Sequence, residues 1–293
     1  MDCIQSIQSA IAYIEEHMLE PINYEDVARY LHMSSYHFHR TFSMVTGITA
    51  NEYIRNRKLS MAGQELILSD KKVIDVALKY GYESPESFAK AFSRFHGVTP
   101  NVARRSGTRM RSYNRLILRI KLEGGTMIDY KIVEREKFSL LVKAQAFRNE
   151  SISEEGNTEI PDFWKQCGAD GVFEVLKQHT KTLDTYGVCA PISKESTHFD
   201  YGVGMRYEGG AVPEGFRVWE MTSTLWAVFP CIGEDGSCIG ETWERIFKEF
   251  LPNSQYNMID AADFELYPQN SNLDCFCEIW VPVEKRDGGT FDD

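Results

Sequence analysis

Two short stretches carry polar side chains at matched spacings around paired phenylalanines. In the first, Tyr36, His39 and Arg40 flank Phe38 and precede Phe42; in the second, Glu86, Ser87 and Lys90 flank Phe88 and precede Phe92. Phenylalanines four apart share one face of a helix and can anchor it. The intervening side chains then point outward, where a helix lying in the major groove meets base edges. Arginine pairs with guanine O6 and N7, and glutamate accepts from cytosine N4. Arg55, Arg57 and Lys58, in the run YIRNRK, are placed for phosphates or for a solvated helix surface.

A third constellation lies near the end of the chain, in DCFCEIWVPV. Strand alternation puts Phe276, Glu278 and Trp280 on one face, and Cys275, Cys277 and Ile279 on the other. A carboxylate among rings on an otherwise apolar strand is costly to bury without a partner. A cationic aromatic ligand would supply charge pairing and cation–π contact. A backbone amide or a tyrosine hydroxyl would also satisfy Glu278, with Trp280 as ordinary core. Trp226 and Phe229 read equally as pocket walls or core.

The elements that must position these residues differ between the two parts of the chain. Up to about residue 105, apolar residues recur at three and four, as helices require, and no strand pattern occurs. Ser34, Phe38, Phe42, Gly47 and Thr49 recur fifty residues later as Ser84, Phe88, Phe92, Gly97 and Thr99, and Val27–Ala28 recur as Val76–Ala77. Each copy reads as a helix, a tight turn and a serine-capped second helix, a helix-turn-helix written twice. After Gly125 the pattern becomes β with two amphipathic helices, which begin near Trp164 and Trp243. Strand, helix, strand, strand appears twice, with Tyr201 and Phe276 opening the final strand of each half. This predicts a pseudo-symmetric, duplicated β-α-β-β domain of the α+β class enclosing a ligand cleft.

The bulk numbers agree with two parts. The chain has 293 residues and a net charge of −11, but residues 1–125 carry 17 Lys and Arg against 13 Asp and Glu, whereas residues 126–293 carry 15 against 30. Opposite charge suggests different partners. No apolar run is long enough for a membrane span, and the start carries no secretory pattern. The seven cysteines form no CxxC, and no histidine lies close to the Cys275–Cys277 pair, which argues for buried thiols in a cytoplasmic protein and against a zinc site. No Ser-His-Asp set, metal cluster or phosphate loop points to an enzyme, and no cofactor is implied.

The stretches VARYLHMSSYHFHRTFSMVTGITANEYIRNRKLSMA and VIDVALKYGYESPESFAKAFSRFHGVTP resemble the AraC/XylS family of transcription regulators over residues 4–105. That resemblance implies an all-α pair of homeodomain-like helix-turn-helix units. It places Tyr36, His39 and Arg40 on base-contacting positions of the first recognition helix, and Glu86, Ser87 and Lys90 on those of the second. Lys90 stands where arginine is common, Glu86 where a neutral polar residue is common, and Ala103 where an aromatic closes the family's pattern. The stretches TLWAVFPCIG, ETWERIFKEFLP, DFELYP and CEIWVPV resemble the GyrI-like effector-binding domain, in a Rob-type order. That resemblance implies that Glu278 faces a ligand cleft; Trp280, Phe276, Trp226, Trp164 and Tyr201 are the residues expected to join it in contacting a ligand. The expected division is 1–106 for the DNA-binding unit, 107–125 for a basic linker and 126–288 for the effector domain. The expected partners are double-stranded DNA, RNA polymerase and a hydrophobic cationic small molecule, with no membrane. Two further readings stand beside this one: a constitutive activator whose acidic domain binds protein, and a small-molecule hydrolase using the cleft glutamate as a general base.

Overall fold

A computed structural model describes residues 3–105, 107–118, 127–152, 158–191, 196–269 and 275–286. Its helical part contains α1 (Cys3–Glu16), α2 (Tyr24–Tyr30), α3 (Ser35–Thr46), α4 (Ala50–Leu68), α5 (Val73–Lys79), α6 (Pro85–His96) and α7 (Pro100–Ala103). The repeat is structural as well as sequential. Ser34 and Ser84 cap α3 and α6 by accepting from the backbone N–H of His37 and Ser87, and Gly47 and Gly97 close the same helices at φ 75° and 78°. Only glycine adopts that left-handed conformation at little cost, so the two stops are encoded locally. Phe38 and Phe42 pack with Val27 and Ala28 in one core; Phe88 and Phe92 pack with Val76 and Ala77 in another. Helix α4 joins them, giving Tyr53 and Ile54 to the first core and Leu59, Ala62 and Leu66 to the second.

Residues 107–118 have no regular structure, yet they are laced to α4. The Tyr113 N–H donates to Ser60 Oγ (2.9 Å), and the Leu116 N–H donates to Tyr53 Oη (3.1 Å). Arg57 is committed here: it pairs with Glu15 at 2.7 Å and donates to the Tyr113 carbonyl at 2.6 Å. Lys58 is buried and donates to the Glu20 carbonyl at 2.8 Å. Neither is a free phosphate contact in this arrangement, whereas Arg55 is exposed. Of the basic residues expected in the linker, Arg105, Arg109 and Arg115 are exposed, while Arg119 and Lys121 lie outside the described residues.

The second part contains β1 (Lys131–Arg135), β2 (Phe138–Arg148), α8 (Glu159–Ala169), α9 (Val172–Lys177), β3 (Thr185–Pro191) and β4 (His198–Arg206). It continues with β5 (Arg217–Met221), β6 (Thr224–Cys231), α10 (Ser237–Arg245), β7 (Tyr256–Met258), β8 (Asp263–Tyr267) and β9 (Cys277–Lys285). Helix α10 runs on into a π-helical stretch, Ile246–Phe250. The strands form one antiparallel sheet in the order β1-β6-β9-β8-β3-β4-β2-β5, with β7 added to β9. Each half is the expected β-α-β-β unit, and the two meet at the β3–β8 pair. The outermost strands are exchanged, since β1 of the first half pairs with β6 of the second and β5 of the second pairs with β2 of the first.

The sheet curls. Phe138 on β2 and Phe264 on β8 are three strand spacings apart along it, roughly 14 Å if it were flat, yet their ring centroids are 5.9 Å apart. The enclosed face holds Trp226, Phe264 and Trp280; the other face carries the helices. Among the described cysteines, Cys167, Cys189, Cys231, Cys238 and Cys277 are buried and none is in a disulfide.

Candidate functional site

On the helix-bearing face, α8 and α10 stand apart and leave a cleft of about 630 Å³ over the β3–β8 seam. Alternation along β8 sends Asp263, Glu265 and Tyr267 to this face, and the register sets Cys189 opposite Asp263 and Gly187 opposite Glu265. Tyr201 on β4 reaches the same floor. Trp164 and Trp243 supply facing aromatic walls, and Phe276 stands at the rim with 37% of its surface exposed.

Glu265 is the carboxyl of the cleft. Trp164 Nε1 donates to Tyr201 Oη (2.8 Å), and Tyr201 Oη donates to Glu265 Oε2 (2.9 Å). Gly187 makes this chain possible, because a Cβ there would lie 2.2 Å from Tyr201 Oη and 2.6 Å from Glu265 Oε2. Burial raises the Glu265 carboxyl to about 7; the Tyr201 hydrogen bond and Arg40 oppose that rise, and Asp263 adds to it. A buried carboxyl poised near neutrality, with aromatic walls beside it, suits a cation that brings its own charge.

The third wall of the cleft comes from the DNA-binding part. Helix α3 is docked against residues 149–152, α10 and the π-helical stretch that follows it, and every residue from Ser35 to Ser43 is buried. Arg40, 4% exposed, donates through Nη1 to both oxygens of Asp263 (3.1 and 3.0 Å) and to Tyr36 Oη (2.9 Å). Its guanidinium carbon lies 3.5 Å from the centroid of the Trp243 ring. Burial alone would favour loss of its proton, but Asp263 outweighs this and holds the guanidinium charged. The Tyr36 ring packs 4.9 Å from that of Phe199. His39 is also buried, beside Tyr24, and burial lowers it to about 4. At the helix start, Asp260 accepts from the Ser34 N–H (2.9 Å), from Ser34 Oγ (2.8 Å) and from His37 Nδ1. Burial pushes the Asp260 carboxyl up, but the His37 and Ser34 contacts prevail and bring it to about 2.

The two helix-turn-helix units are thus presented differently. Glu86, Ser87 and Lys90 on α6 are exposed, with Ser87 Oγ donating to the Ser84 carbonyl at 2.9 Å. Tyr36 and Arg40 are enclosed by the effector part, and His39 is buried beside Tyr24. Among the expected ligand contacts, Trp164, Tyr201 and Phe276 come together in the cleft. Glu278, Trp280 and Trp226 lie on the enclosed face behind it. Strand β9 begins at Cys277, so the alternation does not extend to Phe276, whose ring instead meets Tyr267 at 5.9 Å. Glu278 is already served within the chain, accepting from Lys131 Nζ (2.7 Å) and Trp280 Nε1 (3.0 Å), while Arg135 lies 4.4 Å over the Trp280 ring. Sequence reasoning passed over Glu265, Asp263 and Asp260. The alternation argument applied to CEIWVPV applies equally to DFELYP, and would have marked the first two.

Among the described residues, no cluster of side chains is suited to a metal, and no helix is long and apolar enough to cross a membrane. Family comparison divides the chain where the fold does. The model for integron-associated effector binding proteins matches residues 131–283, and a helix-turn-helix domain model matches 27–106. The regulatory protein SoxS of Salmonella typhimurium is 37% identical over 97 residues, 33% of this chain and 91% of SoxS. The right origin-binding protein of Escherichia coli K12 is 31% identical over 149 residues, half of each chain. YbfP, an uncharacterised HTH-type transcriptional regulator of Bacillus subtilis, is 36% identical over 100 residues, so this chain spans about a third of its length. With an AraC-type double helix-turn-helix leading a curled, duplicated sheet, the chain belongs to the AraC-type DNA-binding transcription regulators and, through its second part, to the integron-associated, GyrI-like effector binding proteins.

Proposed function

We propose that this protein is a cytoplasmic, sequence-specific regulator acting with RNA polymerase, and that its cleft receives a small hydrophobic cation. Its division at residues 1–106, 107–125 and 126–288 follows the same reading. Tyr36, His39 and Arg40 read one major-groove segment, Glu86, Ser87 and Lys90 read the next, and Arg55 meets the backbone. The observation that carries the ligand class is Glu265. It is a buried carboxyl with a tyrosine hydroxyl as its donor and aromatic rings on either side of the cleft. A cation stacked between those rings would convert a costly buried acid into a paired carboxylate. Trp164, Tyr201 and Phe276 then act as the contacting aromatics, while Glu278, Trp280 and Trp226 support the sheet from behind.

Titration of the full chain with rhodamine 6G, a lipophilic aromatic cation, followed by fluorescence polarisation, tests this directly. Saturable binding is expected, weakened at least tenfold by Glu265→Gln and little changed by Glu278→Gln. Affinity should rise as pH increases through about 7, where Glu265 ionises. A dye that binds Glu265→Gln as tightly as wild type, or whose affinity is flat from pH 6 to 8, would sink the assignment.

A further inference from the structure

The recognition helix α3 enters the effector cleft with its DNA-reading side chains leading. Arg40 reaches deepest, and its environment there is that of a bound ligand. A flat, delocalised cation lies over the indole of Trp243, pairs with the Asp263 carboxylate, and touches the Tyr36 hydroxyl. These are the groups a protein uses to hold an aromatic or amidinium-like cation. They also border the same cleft as Glu265, and Tyr36, Arg40 and Met44 form part of its lining. The side chain on this subsite and a ligand filling the cleft to its full extent cannot both be present.

Resting on the cationic-effector reading above, we propose that Asp263 and Trp243 form a cation subsite, that Arg40 is the occupant supplied by the chain itself, and that an effector's cationic group replaces it and frees α3 for DNA. The replacement exchanges like for like. Asp263 is paired with a cation before and after, so the step does not demand the unpaired buried carboxylate that makes breaking such a pair costly. Room remains in the cleft while α3 is docked, so a ligand enters beside the helix and meets Arg40 from within, without waiting for the helix to leave. The departing Arg40 regains water and then a guanine edge or a phosphate. Docking and effector binding are therefore negatively coupled, by the same factor in both directions. The docked helix lowers the apparent affinity for effector in proportion to the closed fraction.

A second contact separates the latch from the subsite. Asp260 holds the start of α3 through Ser34 and His37, and it is not among the residues lining this cleft. Loss of Asp260 should loosen α3 while leaving Asp263, Trp243 and Glu265 in place. Loss of Arg40 should loosen α3 and vacate the subsite at once.

Rhodamine 6G affinity and amide hydrogen exchange across residues 35–46 are to be measured on the full chain, for wild type and three variants. Dye is expected to increase exchange in α3 of wild type. Arg40→Ala should raise dye affinity at least tenfold, and Asp260→Asn at least threefold, each with faster α3 exchange before dye is added. Asp263→Asn should also free α3 but bind dye more weakly than Arg40→Ala. Dye that binds wild type with α3 exchange unchanged overturns the exchange of occupants while leaving the cationic-effector reading intact. Arg40→Ala and Asp260→Asn that bind dye no tighter than wild type do the same. Dye that binds none of the proteins, including Arg40→Ala with its subsite vacant, refutes the cationic-effector reading and this inference with it.

Discussion

Glu265 is buried where it lines the cleft, and that burial ties the stability of the fold to pH. Its carboxyl is raised to about 7 by burial, above the ordinary value near 4.3. The folded state therefore favours the protonated form. Its contribution to stability is complete below about pH 4.5 and is lost as pH rises through 7. Replacing it with glutamine should remove that loss, making Glu265→Gln more stable than wild type at pH 8 by on the order of 3 kcal/mol, with no difference at pH 4. Denaturant titration at the two pH values checks this; equal stabilities at pH 8 would mean that the carboxyl is solvated. Gly187 belongs to the same account, since its missing side chain is where the Tyr201 hydroxyl and the Glu265 carboxyl meet.

At the scale of elements, the repeated helix-turn-helix was legible because its determinants are local. Serine caps, phenylalanines four apart and glycine stops all act within one or two turns, and each recurs in both copies. The docking of α3 was not legible. A helix buried on all sides is expected to be apolar, and α3 instead carries His37 together with Tyr36, His39 and Arg40, the last three of which read as a DNA face. Tyr36, His37 and Arg40 are accommodated by groups more than a hundred residues away and His39 by Tyr24 of α2, and no periodicity announces such partners. The cleft was half legible for a similar reason. Trp164 and Tyr201 emerged from the duplicated pattern, but choosing Glu265 over Glu278 needs the β8–β9 register, which sets Leu266, not Glu265, opposite Glu278. The unequal presentation of the two copies has a measurable consequence. Ser84→Ala should cost about 1 kcal/mol, as loss of a helix cap does, and should leave α3 untouched. Ser34→Ala removes the same cap and also a donor to Asp260. It should cost more in thermal unfolding and should speed amide exchange in α3; equal costs would argue that the Asp260 contact contributes nothing.

The whole molecule keeps one reading helix outside and one inside. Glu86, Lys90 and Arg55 expose their charges, while Arg40 is paired internally with Asp263. Each phosphate neutralised adds roughly 0.9 to the slope of log affinity against log salt. A closed chain should therefore show a shallower salt dependence on duplex DNA than an opened one. Asp260→Asn is expected to steepen that slope by about one or more contacts' worth, and saturating rhodamine 6G should do the same to wild type. Parallel slopes for wild type and Asp260→Asn in electrophoretic mobility titrations would place both helices on DNA from the outset. The buried Arg40–Asp263 pair is suited to such a device: desolvation offsets much of its Coulombic attraction, so it specifies one docked geometry without making it irreversible.

The exchanged outer strands bear on the symmetry of the cleft. Neither half of the effector domain completes its own sheet: β2 needs β5, and β6 needs β1. A half on its own would leave an open edge ready to pair with another chain, and a second copy of itself would fill that edge in the same way. The domain has the arrangement of two like units joined side by side, with its cleft laid over the β3–β8 seam between them. In a symmetric dimer, a carboxylate near the two-fold axis is confronted by its own duplicate, and two such charges repel. A single chain is free of that constraint: Glu265 stands on one side of the β3–β8 seam, and opposite it Gly187 yields the space.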